Sequence, residues 1–264
     1  MSRLMLRASL LLAVALIAIG CAKNTLRDDA GDPDVTGNIG SPLVGASPAD
    51  VYIDLSGAYL QEGRLTEAFM NAKKAVIVDP KSSNAHYVLA LVYQRLGETG
   101  SADASYRDAI SRDPRNPAAL NAYGQYLCDL GKFDEADGYF RRALKNPLYS
   151  TPWLASHNAG TCAEMAGDLV RADQDFRAAL QVNPRFAPSL LSMADISFKQ
   201  TNYLSARAYL QRYAEVAPHT AESLWLGFQT ENQLGDRDQM ASYGLKLRSK
   251  FPDSEQAKYL QTIE

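Results

Sequence analysis

Ser83-Asn84-Ala85-His86-Tyr87-Val88-Leu89-Ala90-Leu91-Val92-Tyr93-Gln94-Arg95-Leu96-Gly97, followed by Ala102, Tyr106, Ala109 and Pro114, decides the fold. In a 34-residue frame starting at Ser83, His86, Leu89, Ala90 and Tyr93 take slots 4, 7, 8 and 11, one stripe of a helix at i, i+3, i+4, i+7 spacing. Gly97 stands where that helix should end, because glycine takes a left-handed backbone at little cost. Ala102, Tyr106 and Ala109 then form the stripe of a second helix, and Pro114 cannot continue it. Outward from this segment the closing proline recurs as Pro80, Pro114, Pro147, Pro184, Pro218 and Pro252, at intervals of 34, 33, 37, 34 and 34 residues. A period of that length, enclosing two helical stripes, marks stacked helix–turn–helix units that bury a continuous core only as a stack.

The other segments repeat the pattern. The first has Leu55, Tyr59, Ala68 and Ala75; the third has Tyr123, Gly124, Gly131, Ala136, Phe140 and Ala143. The fourth has Ala159, Gly160, Gly167, Ala172, Phe176 and Ala179, and the fifth has Met193, Ala194, Ala206 and Leu210. In the sixth, Gly235 and Pro252 are in place but Met240 stands where alanine is expected. Small residues at slots 8 and 20 let the paired helices approach closely. The pattern resembles the tetratricopeptide repeat. It implies an all-α fold, a right-handed superhelical solenoid of six repeats at 49–82, 83–116, 117–152, 153–186, 187–220 and 221–254, then a helical tail. Two extra residues around Asn146–Pro152 make that junction the expected irregularity.

The N-terminus carries a separate signal. Arg3 and Arg7 precede an apolar run from Ala8 to Ile19, interrupted by Ser9 alone, too short to span a bilayer and typical of a secretory signal. Ala18-Ile19-Gly20-Cys21 resembles the bacterial lipoprotein box. The expected arrangement is a signal peptide over 1–20, acyl chains on Cys21 that anchor the chain to a membrane, and a tether over 21–48 rich in Gly, Pro, Asp and Ser. Ala22 in place of an aspartate after the cysteine favours the periplasmic face of the outer membrane. As a coil the tether would span roughly 30 Å.

Catalytic constellations are thin. A net charge of −3 offers no basic footprint for nucleic acid. No phosphate loop, nucleophile elbow or His-Glu-x-x-His segment occurs, so neither an enzyme, a small-molecule substrate, a cofactor nor a metal is expected. Of the three histidines, His86 falls at a packing slot, His219 is expected in a solvated turn, and His157 could face the groove. Cys128 and Cys162 lie on the first helices of adjacent repeats. They read either as two small semi-buried residues or as a disulfide, which an oxidising compartment would permit. A metal site built from both cysteines and His157 lacks a fourth ligand.

With slots 4, 7, 8 and 11 assigned to packing, slots 2, 5, 9, 12 and 13 are expected to line the concave side. The binding candidates there are Ile53, Leu60, Tyr87, Leu91, Arg95, Asn121, Gln125, His157, Phe198, Lys199 and Trp225. An apolar wall at the first two and last two repeats suits a peptide or partner helix.

A lipoprotein box, a tether and six such repeats resemble the type IV pilus biogenesis and stability lipoprotein family (PilF/PilW). Leu120-Asn121-Ala122-Tyr123-Gly124, Met193-Ala194-Asp195 and Ala241-Ser242-Tyr243-Gly244-Leu245-Lys246-Leu247 strengthen the likeness. The resemblance implies a pilotin: a non-catalytic outer-membrane lipoprotein that binds the pilus secretin subunit and enables its localisation and multimer assembly. The alternative is another periplasmic repeat scaffold, such as a β-barrel assembly subunit or an adaptor of peptidoglycan enzymes.

Overall fold

The computed structural model describes residues 47–263. The signal segment, Cys21 and most of the tether lie outside the described residues. The described chain is helical, in six antiparallel pairs and a final helix. The pairs are α1 (Pro48–Gln61) with α2 (Leu65–Val78), α3 (Ser83–Arg95) with α4 (Thr99–Arg112), and α5 (Pro117–Asp129) with α6 (Phe133–Leu144). They continue as α7 (Pro152–Met165) with α8 (Leu169–Val182), α9 (Ala187–Lys199) with α10 (Tyr203–Ala214), and α11 (Ala221–Leu234) with α12 (Arg237–Lys250). The last helix is α13 (Glu255–Ile263).

Local signals explain where the helices start and stop. Ser47, Ser82, Asn116 and Thr220 cap first helices by accepting from backbone N–H groups of the opening turn. The first helices close in a common turn, shown by α3: the Gly97 N–H donates to the Gln94 carbonyl and the Glu98 N–H to the Tyr93 carbonyl, with Gly97 at φ +76°. The fifth repeat builds the same turn with a β-branched residue. Thr201 sits at φ +60°, and Asn202 still donates to the Ser197 carbonyl. That backbone is strained for threonine, and the surrounding packing imposes it.

Helix pairing depends on the small slots. A Cβ added to Gly124 would lie 2.7 Å from the Phe140 ring, and one on Gly160 would lie 2.8 Å from Phe176. The sixth repeat, expected to be degenerate, keeps this contact one residue out of phase: Gly227 faces Tyr243 at 2.5 Å from such a Cβ. Met240 is half-buried beside this core, and Leu247 is fully buried.

Each pair packs on the next through several ties. First helices pack against first helices along the whole series (α1 with α3, α3 with α5, and so on to α11), whereas successive second helices stand farther apart and meet only through long side chains, as Arg141 of α6 does with Asp175 of α8. The stack therefore curves with first helices inside and second helices outside. The irregular junction at 146–152 is bridged two ways and tied back once to the preceding turn. A disulfide joins Cys128 of α5 to Cys162 of α7, with Cα atoms 5.7 Å apart. Arg141 forks onto the buried Asp175 carboxylate at 2.6 and 2.7 Å. Asn146 donates to the Arg115 carbonyl at 2.9 Å.

Candidate functional site: the inner wall of the stack

The inner wall is built by the first helices, and their close approach governs which side chains remain reachable. Ile53, Leu60, Tyr87, Leu91, Asn121 and His157, expected to face an open groove, are all buried. The physical reason is curvature: on the inside of the bend the next first helix covers slot 5 and much of slots 9 and 12. Their apolar character is used in inter-repeat packing. Conversely Leu55, expected in the core, is exposed, because the described residues place no repeat in front of α1.

Several polar members of this layer are also committed. The Asn158 amide donates to Asn121 Oδ1 at 3.0 Å. His157 Nδ1 lies 3.1 Å from Ser189 Oγ, and its ring packs on Phe176 and Phe186. Burial pushes the His157 pKa down to about 4, so the ring is neutral at pH 7. His86 Nε2 lies 3.1 Å from the Pro80 carbonyl. His219, expected in a solvated turn, is half-buried against Tyr213 and Tyr243, with Nδ1 3.0 Å from Ser223 Oγ.

The reachable wall has two parts. In the middle repeats it is polar. Arg95 is exposed, and the Tyr106 hydroxyl donates to Gln94 Oε1, whose amide reaches Asp129. Gln125 is half-buried, and its Oε1 is shut off from solvent without a hydrogen-bond partner. Exposed Lys199 joins Asp195 at 2.6 Å and Glu164 at 2.7 Å, linking two first helices across the wall. Towards the last repeats the wall turns apolar, with half-buried Leu191, Phe198 and Trp225. Phe198 packs on Tyr203; Trp225 stacks on Phe228 with ring centres 5.4 Å apart and meets Tyr259 of α13 edge-on. Thr161 and Glu164 also lie on this wall. Slot arithmetic reaches both, at positions 9 and 12 of the fourth frame, yet neither stood among the sequence candidates.

A reachable strip of amides, one charged cluster and an aromatic end can hold an extended chain or a helix. Among the described residues there is no group of three or more His, Cys, Asp or Glu side chains arranged to hold a metal, and no helix long and apolar enough to cross a membrane.

Comparison with known proteins assigns this architecture. The tetratricopeptide-repeat family model matches residues 87–150 and 124–190. The type IV pilus assembly protein PilF of Pseudomonas aeruginosa is 32% identical over 252 residues, covering 94% of this chain and 95% of that protein. This chain belongs to the PilF/PilW family of type IV pilus biogenesis proteins. The solved structure of Pseudomonas aeruginosa PilF superposes with a TM-score of 0.74 at 33% identity, covering 82% of this chain and 97% of that one. The crystal structure of PilW, described as a widely conserved type IV pilus biogenesis factor, gives a TM-score of 0.74 at 28% identity, over 82% of this chain and all of that one. The PilF/PilW likeness thus runs through all six helix pairs, including the sixth, whose contact is out of phase.

Proposed function

We propose that this protein is the pilotin of a type IV pilus secretin: a non-catalytic outer-membrane lipoprotein, anchored through acylated Cys21, that binds the secretin subunit and brings it to its site of multimer assembly. The end-to-end match to PilF carries this reading, because it spans the repeats together with the N-terminal region and not a generic repeat alone. The reachable wall supports it. A strip that changes from amides around Gln94 and Gln125 to aromatics around Phe198 and Trp225 suits a partner segment with one polar and one apolar half. The acyl chains supply the address, and the partner travels with them.

A deletion strain tests the proposal. Secretin should remain monomeric, as seen by loss of heat-stable multimers on gels, and twitching should stop. Normal multimers in the deletion strain overturn the pilotin reading. Cys21→Ser should move the protein from the outer-membrane fraction to the soluble periplasmic fraction; a variant still held in the membrane fraction overturns the anchor.

A further inference from the structure

The edge of the stack where second helices end and first helices begin carries a cleft of about 900 Å³, away from the inner wall. It runs along three successive turns, those after α2, α4 and α6. Lys81, Arg112, Arg115, Arg142 and Lys145 line it against the single carboxylate of Asp113. Five cations gathered on one edge stand out in a chain whose net charge is −3.

These cations divide by what they already hold. Arg112 donates to the Pro80 carbonyl at 2.7 Å and pairs with Asp108 at 3.1 Å, and Arg142 donates to the Pro114 carbonyl at 3.3 Å. Both tie one repeat to the previous one, and they consume the carbonyl acceptors at the turns. Lys81, Arg115 and Lys145 have exposed side chains with no hydrogen bond or ion pair among the described residues. They stand on successive turns, one repeat apart. Leu148, 89% exposed at one end of the cleft, adds an apolar contact.

We propose that this cleft binds an extended acidic peptide segment of a partner protein, lying across the turns of the first three repeats. A lone phosphate would satisfy one turn and leave the other cations unanswered, whereas a chain with repeated carboxylates meets all three. A flat bilayer presents its charges in a plane, and a recess between turns is a poor match for it. The opposed charges favour fast, salt-sensitive capture. This reading does not depend on the identity of the partner held at the inner wall.

The test uses the full chain in detergent and a fluorescein-labelled hexaglutamyl-leucine peptide, with binding followed by anisotropy. Arg115→Glu combined with Lys145→Glu should weaken binding about tenfold or more, and raising the salt should do the same. Lys246→Glu combined with Lys250→Glu changes net charge equally on distant α12 and should leave binding within twofold. Glutamine at Arg115 and Lys145 should give an intermediate loss, and circular dichroism melting checks that each variant folds. Absence of peptide binding overturns the proposal. An equal loss in both charge-reversed pairs also overturns it, since only net charge would then matter. Phosphatidylglycerol vesicles that bind through Arg115 and Lys145, uncontested by the peptide, would assign the cleft to a membrane instead.

Discussion

The two ends of the stack are built from the same repeat and finished differently. At the C-terminal end α13 lies over the last pair, burying Ala257 and Leu260 against Leu224, Phe228 and Leu247, with Trp225 stacked at the margin. At the N-terminal end Val51 and Leu55 remain 48% and 40% exposed, with Ala58 exposed beside them. In the following repeats the equivalent residues, such as Ala119, Tyr123 and Tyr126, are buried under the preceding pair. A repeat thus has an interior-type face on each side. Its exposure is decided by the neighbour and not by the repeat's own sequence. In a quasi-one-dimensional stack an unsheltered end is the first to fray.

This contrast can be broken or sharpened experimentally. The largest effect is expected at the disulfide between the two ends. Its cysteines stand 34 residues apart, so replacing Cys128 and Cys162 with serine should lower stability by on the order of 3–4 kcal/mol. The open end should then unfold as a separate, earlier step. Denaturant curves read by circular dichroism would show it, and one unchanged cooperative step would dissolve the contrast. Free-thiol titration of the unfolded native chain should find neither of these two cysteines reactive before reduction.

Next comes the cap itself. Leu260→Ala removes a fully buried side chain and should cost about 3 kcal/mol, whereas Leu55→Ala at the open end should cost less than about 1 kcal/mol. Equal costs would mean that the open end is covered as tightly as the capped one. Amide exchange should likewise be faster in α1 than in α11.

The third effect lies between the ends and depends on pH. Burial lowers the His157 pKa from 6.5 to about 4, so the unfolded chain binds the proton more readily than the folded one. Stability from this group is complete above pH 6.5 and is lost as pH falls towards 4, by on the order of 2–3 kcal/mol. His157→Gln should flatten that slope in unfolding curves measured between pH 7 and pH 4.5. An unchanged slope would place the acid sensitivity elsewhere. The smallest effect is a gain: Thr201→Gly relieves the positive φ of the fifth turn and should stabilise the protein by about 1 kcal/mol, visible as a higher melting temperature.

The helix pairs were legible because their cause is local and periodic. Gly124, Gly160, Phe140 and Phe176 recur at fixed slots, and the contacts they make are the ones a close helix pair requires. Gly227 was missed for the same reason: a one-residue phase shift hides it from a rigid frame, although the distance of sixteen residues to Tyr243 is kept in all three glycine pairs. Thr201 carries no glycine to announce its left-handed turn, and only the hydrogen bonds around it show that the turn is there. The wall was legible only in outline. Slot numbers placed Tyr87, Leu91 and Asn121 on the correct helices, but whether they face a partner or the next helix depends on how tightly the stack bends.

The sequence by itself determined the unit, its number and the pairing of its helices, because a 34-residue beat of small and aromatic residues admits one close packing. Tertiary structure alone decided the curvature, the disulfide partnership, the basic cleft at the turns and the unequal ends. Each of these arises between repeats, where side chains from segments 34 residues apart meet, and no pattern within one repeat encodes the distance between them.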